Sequence, residues 1–106
     1  MDVHAAVADP TRRRILGLLA EGDCAAGDLA GAFPVSRPAI SRHLRVLRET
    51  GLVQSRVEAQ QRIYSLRAAP LEEIDAWLEP YRRFWTNRLD ALDTEIRRGR
   101  RERTTR

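Results

Sequence analysis

Residues 26–45 read AGDLAGAFPVSRPAISRHLR, and this stretch decides the fold. Leu29 and Phe33 are four residues apart, which places both on one face of a helix over roughly residues 25–33. Pro34 interrupts that helix, and an apolar pattern of helical period then resumes. Two helices joined by so short a turn have the length of a helix–turn–helix unit.

The second helix of this unit begins after Ser36, a typical N-cap, and is closed by Gly51. Its buried face is predicted from the three- and four-residue spacing of Ile40, Leu44 and Leu47. A helix of this kind enters the major groove of DNA, where arginine reads guanine and serine donates to bases or phosphates. The residues predicted to cap the helix or face outward are Ser36, Arg37, Pro38, Ser41, Arg42 and Arg45.

Shorter elements flank the unit on both sides. Asp9-Pro10 predicts the start of a helix that runs to about Ala20, and residues 3–8 form a short extra helix before it. Two alternating segments at residues 52–57 and 62–66 predict a β-hairpin, although the loop between them has no Gly, Asn or Asp. This hairpin is expected to bring Arg56 and Arg62 to phosphates or a minor groove.

A last helix is predicted from Pro70 to Arg98, with Pro80 expected to kink or split it. Over about 29 residues it would reach roughly 43 Å, too long to bury its apolar stripe on a domain this small. We therefore expect it to pack against its copy in a two-fold homodimer. The predicted dimerisation residues are Leu71, Ile74, Leu78, Tyr81, Trp85, Leu89 and Leu92. The aromatic residues of this helix could instead line a ligand pocket.

The 106 residues allow one domain, with 42 % hydrophobic and 32 % charged residues. We expect a mainly α fold with a small β-hairpin over residues 1–98, and a basic, disordered tail at residues 99–106. No apolar run is long enough to suggest a membrane span, and no signal peptide is expected.

All 19 basic residues are arginine, and the formal net charge is +4. Residues 36–67 contain seven Arg and two Glu, net +5, whereas residues 68–96 contain three Arg and seven acids, net −4. Residues 97–106 contain six Arg and one Glu, net +5, so without them the rest of the chain has a net charge of −1. The argument for nucleic acid therefore depends on the block at 36–67 rather than on the total.

Four stretches of the sequence resemble the winged helix–turn–helix regulators of the ArsR/SmtB family. They are ADPTRRRIL at residues 8–16, GDLA at 27–30, VSRPAISRHL at 35–44 and GLV at 51–53. The resemblance covers roughly residues 3–96. It implies a winged helix–turn–helix fold and a homodimeric bacterial repressor that leaves DNA when a metal or another signal binds.

The metal sites of that family do not have recognisable counterparts here. The cysteines expected just before the pair Asp28-Leu29 are replaced by two alanines and a glycine, and Cys24 is displaced from the pattern. The final helix has no histidine, and His43 falls on the recognition helix, where we expect it to be packed. We expect no metal and no cofactor, and only a site that pairs His4 with acids across a dimer stays open.

The sequence thus predicts a cytoplasmic bacterial transcription regulator and not an enzyme, because no catalytic constellation is present. The favoured hypothesis is a homodimeric repressor, with repression of its own gene left open, that binds a palindromic operator through residues 36–50 and the wing at 52–66. A second hypothesis is a sensor with the same DNA module, triggered by oxidation of Cys24 or by a small ligand. A third is a helical protein–protein interaction module without DNA binding. The inducer is not predicted.

Overall fold

The computed structural model describes residues 1–104, including all side chains except those of residues 89–91 and 100–104. The chain divides into two compact units, of which the first comprises residues 1–74 and the second begins at Asp75. The helices and strands are α1 (Val3–Val7), α2 (Pro10–Glu21), β1 (Cys24–Ala25), α3 (Ala26–Gly31), α4 (Arg37–Glu49), β2 (Val53–Glu58), β3 (Gln61–Leu66) and α5 (Glu72–Thr104). The fold is therefore mainly helical with a small sheet, as predicted.

The two central helices begin at the residues that the sequence indicates. The Asp9 carboxylate accepts a hydrogen bond from the Arg12 amide at 2.9 Å and caps α2. The Ser36 hydroxyl accepts from the Ala39 amide at 3.3 Å and caps α4. Such caps satisfy amides that have no partner within the helix, and each contributes about 1 kcal/mol. Gly51 follows α4 with φ of 78°, a left-handed conformation that favours glycine.

The core of the first unit is formed by the apolar faces of its helices together with residues of the sheet. Ile40, Leu44 and Leu47 are at most 4 % exposed, so the predicted face of α4 is confirmed. Full burial of such side chains contributes about 1.5–3 kcal/mol each. The buried apolar residues are Val3, Ala6, Ile15, Leu16, Leu19, Leu29, Ile40, Leu44, Leu47, Leu52, Val53 and Tyr64.

The sheet has three antiparallel strands in the order β1-β3-β2, whereas the sequence predicted only two. The additional strand arises because Cys24 and Ala25 pair with Tyr64 and Ile63 of β3. The predicted hairpin of β2 and β3 is present and is closed by a two-residue turn, Ala59–Gln60. Both turn residues have positive φ, 49° and 67°, as type I′ hairpin turns require.

The last helix differs from its prediction at both ends. A 3₁₀ turn over Ala69–Leu71 precedes it, and α5 itself continues to Thr104, beyond the predicted end at Arg98. Helix thus occupies part of the segment for which a disordered tail was expected, and residues 105–106 lie outside the described residues. None of the helices that the structure describes is long and apolar enough to cross a membrane.

Pro80 does not split α5, because one helix is assigned across it. Proline removes an amide donor and disturbs the preceding turn of a helix. Arg82 reaches back over this position: its guanidinium donates to the backbone carbonyl of Asp75 at 3.2 Å and pairs with the Asp75 carboxylate. It also lies 3.6 Å from the carboxylate of Glu79. These contacts connect the turns on either side of the proline.

Two of the predicted dimerisation residues belong to the core of the first unit. Leu71 and Ile74 are partly buried and pack against the hydrophobic cluster. They follow β3 within a few residues, so the chain is still in contact with the domain that β3 completes. Part of their surface is therefore used within the chain, and their place in a dimer interface stays a prediction.

Candidate nucleic-acid interface

The outward side of α4 presents the polar residues predicted for it. Ser36, Arg37, Pro38, Ser41, Arg42 and Arg45 are all exposed. Because residues four apart lie one above the other on a helix, Arg37, Ser41 and Arg45 share one ridge. The opposite side of the same helix is buried in the core. The helix is thus fixed from beneath, and its cationic face is left open to solvent.

The N–H donors of the guanidinium groups on this face are not used in contacts with the described part of the chain. Arg37, Arg42 and Arg45 make no hydrogen bond or ion pair with any residue that the structure describes. Arginine carries five donors in a planar fork that matches phosphate and the edge of guanine. By contrast, Arg12 and Arg13 donate to backbone carbonyls at the end of α1. The arginines of α4 are therefore available for an external anion.

Arg48 extends the ridge, and the sequence analysis did not include it among the site residues. It follows Arg45 by three residues and Ser41 by seven, so it lies on the same side of α4. Its side chain is exposed, and it too has no partner among the described residues. The helical spacing alone was sufficient to find it.

His43 lies on the side of α4 that faces α2, and its side chain is partly buried. Its Nδ1 atom is 3.3 Å from Nη1 of Arg12, and its Nε2 atom is 3.9 Å from the Asp9 carboxylate. The hydrogen bond from the Arg12 amide holds the pKa of Asp9 below its ordinary value, and nearby His43 and Arg12 lower it further. The start of α2 and the middle of α4 are joined through these three side chains.

The two arginines predicted for the wing have different surroundings. Arg62 is exposed near the turn, opposite Val57, and has no partner among the described residues. The donors of Arg56 are used in contacts with the protein itself: Nη1 donates to the Asp23 carboxylate and to the Ser65 hydroxyl, both at 2.9 Å. Its geometry therefore suits a role in positioning the wing, whereas Arg62 is placed to meet a phosphate.

The ion pair between Arg56 and Asp23 also shifts the pKa of both groups. The hydrogen bond from Arg56 to Asp23 lowers the pKa of the Asp23 carboxyl, and the Ser65 hydroxyl contributes in the same direction. The Asp23 and Glu58 carboxylates raise the pKa of Arg56, so its charge is secure. Glu58 accepts from Nε of Arg56 at 3.2 Å. The charged side chains of Arg56, Asp23 and Glu58 are 47–64 % exposed, so the ion pairs are screened by solvent.

Within the second unit, large apolar side chains of α5 are exposed in the single chain. Trp77, Tyr81, Phe84 and Trp85 are 44–67 % exposed, and the rings of Trp77 and Tyr81 lie 5.3 Å apart. Further along the same helix, Leu92 and Ile96 are 52 % and 46 % exposed. Leu78 is partly buried, and the side chain of Leu89 lies outside the described residues. The exposed residues form a long apolar stripe.

Neither a metal site nor a thiol site stands out among the described residues. No group of three or more His, Cys, Asp or Glu side chains in this part of the chain is arranged to hold a metal ion. Cys24 lies in β1, directly before the N-cap residue of α3, and packs partly against the core. Its Sγ atom donates to the Gly22 carbonyl at 3.6 Å.

Comparison with known proteins identifies this arrangement. Residues 9–55 match the family model described as "Bacterial regulatory protein, arsR family". The transcriptional repressor SdpR of Bacillus subtilis is 40 % identical over 77 residues, which are 73 % of this chain and 86 % of SdpR. The chain belongs to the ArsR family. The HTH-type transcriptional regulator Rv2034 of Mycobacterium tuberculosis is 45 % identical over 84 residues, 79 % of this chain and 76 % of Rv2034.

Solved structures of the ArsR family share the fold. An ArsR-like transcriptional regulator from Rhodococcus sp. RHA1 superimposes with a TM-score of 0.66 at 39 % identity, covering 85 % of each chain. The winged helix–turn–helix predicted from the sequence is thus confirmed. As a member of the ArsR family, the protein is a DNA-binding transcriptional regulator and not an enzyme.

Proposed function

We propose that this ArsR-family protein is a homodimeric repressor that binds a palindromic operator through α4 and the wing. The observation that carries the proposal is a set of guanidinium groups on α4 and β3 that have no partner among the described residues: Arg37, Arg42, Arg45 and Arg62. They occur in the segment with a net charge of +5, and each is exposed. The similarity to a repressor, SdpR, supports the direction of regulation.

In this proposal Ser36 caps the start of α4, and the base contacts come from the exposed arginine face of the same helix. Arg42 and Arg45 donate to base edges or phosphates in the major groove. Arg62 meets the backbone beside the groove, and Arg56 keeps the wing in place through its contacts with Asp23 and Ser65. Pro38, in the first turn, pre-sets the helical backbone there without an amide that would need a partner.

A second copy of the chain is the partner that the α5 stripe suits. The helix has 33 residues and would extend about 50 Å if straight. Exposed tryptophan, tyrosine and phenylalanine side chains in one stripe are typical of protein interfaces, since they bury a large area. A two-fold pair of such helices would present two copies of α4 to DNA. The half-sites of the operator are then expected about 34–36 Å apart, or at a multiple of that distance.

The test uses the full chain and DNA fragments, including the region upstream of its own gene. Affinity is measured by fluorescence anisotropy at several salt concentrations. We expect specific binding that weakens as the salt concentration rises. The slope of log K against log salt concentration should be about −0.9 for each phosphate that the protein neutralises. Arg42→Ala and Arg45→Ala should each weaken specific binding by about 1–3 kcal/mol if the lost contact is to a base.

Arg14→Ala is the matched control, because Arg14 is exposed on α2, outside the +5 segment, and has no partner among the described residues. It removes the same charge from the same unit. Specific affinity that is unchanged in both Arg42→Ala and Arg45→Ala, or reduced equally in Arg14→Ala, would contradict the assignment of α4. Repression is checked with a reporter gene under the selected operator, and we propose a cytoplasmic location, where the operator is accessible.

A further inference from the structure

A cavity with both apolar and polar walls, the apolar ones including Ile40 and Leu44, lies between α3, α4 and the sheet, beside the exposed arginine face. Its volume is about 190 Å³. The wall on α3 is made of small residues, among them Ala26 and Ala30, so the space is not filled by side chains from that helix. Three polar side chains line it from the other elements: Arg37 and Ser41 of α4 and Tyr64 of β3.

Tyr64 is the residue that indicates a ligand. It is only 7 % exposed, yet its hydroxyl makes no hydrogen bond with any described residue. No fully buried side-chain oxygen or nitrogen in the described part of the chain lacks a partner, so the Oη atom keeps some contact with solvent, and the Tyr64 side chain lines the cavity. The hydroxyl is therefore a donor that no described residue occupies.

The position of the tyrosine is well defined by its strand. Tyr64 is at the centre of the sheet, paired with Cys24 of β1 on one side and Ser55 of β2 on the other. Backbone hydrogen bonding on both sides restricts its movement, and its ring belongs to the buried core. The donor is thus held in place before any ligand arrives, which reduces the entropy lost on binding.

The polar residues of the lining have the chemistry of an anion site. Arg37 and Ser41 are one helical turn apart, and neither has a partner among the described residues. The described lining therefore offers a guanidinium, two hydroxyl donors and no carboxylate. Hydrogen bonds to a charged acceptor are stronger than those between neutral groups, so a phosphate oxygen is a favourable acceptor here.

We propose that this cavity holds one phosphodiester group of the operator backbone. Tyr64 Oη and Ser41 Oγ donate to its oxygens, and Arg37 neutralises its charge. Since Arg37 and Ser41 also belong to the exposed ridge of α4, a DNA strand against that ridge passes the opening of the cavity. The inference rests on the proposed function, and it adds a residue of the sheet core, Tyr64, to the contacts that position the protein on DNA.

The test begins with Tyr64→Phe, which keeps the ring and removes only the hydroxyl. We expect operator affinity to fall about ten-fold for each half-site, the loss of one hydrogen bond to a charged group per subunit. The salt dependence should not change because no charge is removed, whereas Arg37→Ala should reduce its slope by about 0.9 per subunit. The midpoint of thermal unfolding should not fall, since the hydroxyl has no partner in the free protein. Ser41→Ala provides a second variant.

The specific phosphate is found with palindromic duplexes in which the two symmetry-related phosphates, one in each half-site, are replaced together by neutral methylphosphonates. On one of these duplexes, and on no other, Tyr64→Phe and the wild type should bind equally, because both acceptors are already weakened. Equal binding on the unmodified duplex, or the same loss on every duplex, would overturn the inference. A third result would also overturn it: inorganic phosphate occupies the site and displaces DNA, but the effect of Tyr64→Phe does not depend on any particular phosphate of the duplex. The site would then serve a free anion. If the wild type binds no operator, the proposed function itself fails.

Discussion

Nη1 of Arg12 lies 3.3 Å from Nδ1 of His43, so α2 and α4 are joined by a hydrogen bond. A guanidinium has only donors, so the histidine nitrogen is the acceptor of this contact, and Nε2 of the same ring lies 3.9 Å from the Asp9 carboxylate. The same guanidinium donates to the carbonyls of Ala6 at 2.6 Å and Ala5 at 3.1 Å. One side chain connects the end of α1 to the helix proposed to read DNA.

Arg12→Ala is expected to lower both the stability and the operator affinity. It leaves carbonyls at the end of α1 and one nitrogen of His43 without their donor, which costs about 1–3 kcal/mol. Arg13→Ala is the control, because Arg13 donates to the carbonyls of Val7 and Ala8 at 3.1 Å but does not contact α4. Urea denaturation and anisotropy measure the two effects. Equal operator affinity for the two variants would show that the contact with His43 does not position α4.

The N-cap of α2 predicts a pH-dependent contribution to stability. The folded state lowers the pKa of Asp9, chiefly through the Arg12 amide, so the charged carboxylate stabilises folding above its unfolded pKa of about 3.9. This contribution is lost as the pH falls through the lowered pKa. Asp9→Ala should therefore cost about 1 kcal/mol at pH 7 and less in acid. Urea denaturation of both proteins at pH 7 and pH 3 measures it, and a constant difference would contradict the prediction.

The two arginines of the wing should behave differently when each is replaced by alanine. Arg62→Ala is expected to reduce the slope of log K against log salt by about 0.9, the loss of one phosphate contact. Arg56→Ala should change the slope less, because its charge already faces Asp23 and Glu58. Instead it should increase hydrogen exchange of β2 and β3 amides. The assignment is reversed if Arg56→Ala gives the larger change in slope.

A charge placed in the apolar stripe of α5 should separate the dimer. Trp85→Glu would bury a carboxylate in the proposed interface, and we expect the dissociation constant to rise about 30-fold or more. Thr86→Glu adds the same charge at the next position of the helix, off the stripe, and should leave the dimer intact. Sedimentation equilibrium measures both. A monomeric wild type, or equal dissociation of the two variants, would remove α5 from the interface.

Local chemistry made much of this fold predictable. Asp9 and Ser36 act on amides three residues away, so their effect can be inferred from a short stretch of sequence. The spacing of Ile40, Leu44 and Leu47 likewise depends only on helix geometry. The outward face of α4 follows from the same spacing, which is why its arginines could be named in advance.

What was missed depends on contacts between distant residues. β1 contains two residues, too few for a pattern, and exists because Tyr64 and Ile63 lie beside it. One partner of Arg56 is also remote in sequence, since Asp23 precedes it by 33 positions. The apolar spacing of the last helix does not show that Leu71 and Ile74 pack against the core of their own chain. No local signal distinguishes these alternatives.

The two-residue turn at Ala59–Gln60 makes the wing sensitive to length. Neither residue is of a type that favours positive φ, so replacing either with glycine should be tolerated or should stabilise the hairpin. Insertion of one residue that shifted the pairing of β2 with β3 would turn every side chain of β3 to the opposite face. Tyr64 would then leave the core, and Ile63 would enter it. We therefore expect the tip to accept substitutions more readily than insertions or deletions that change the pairing register.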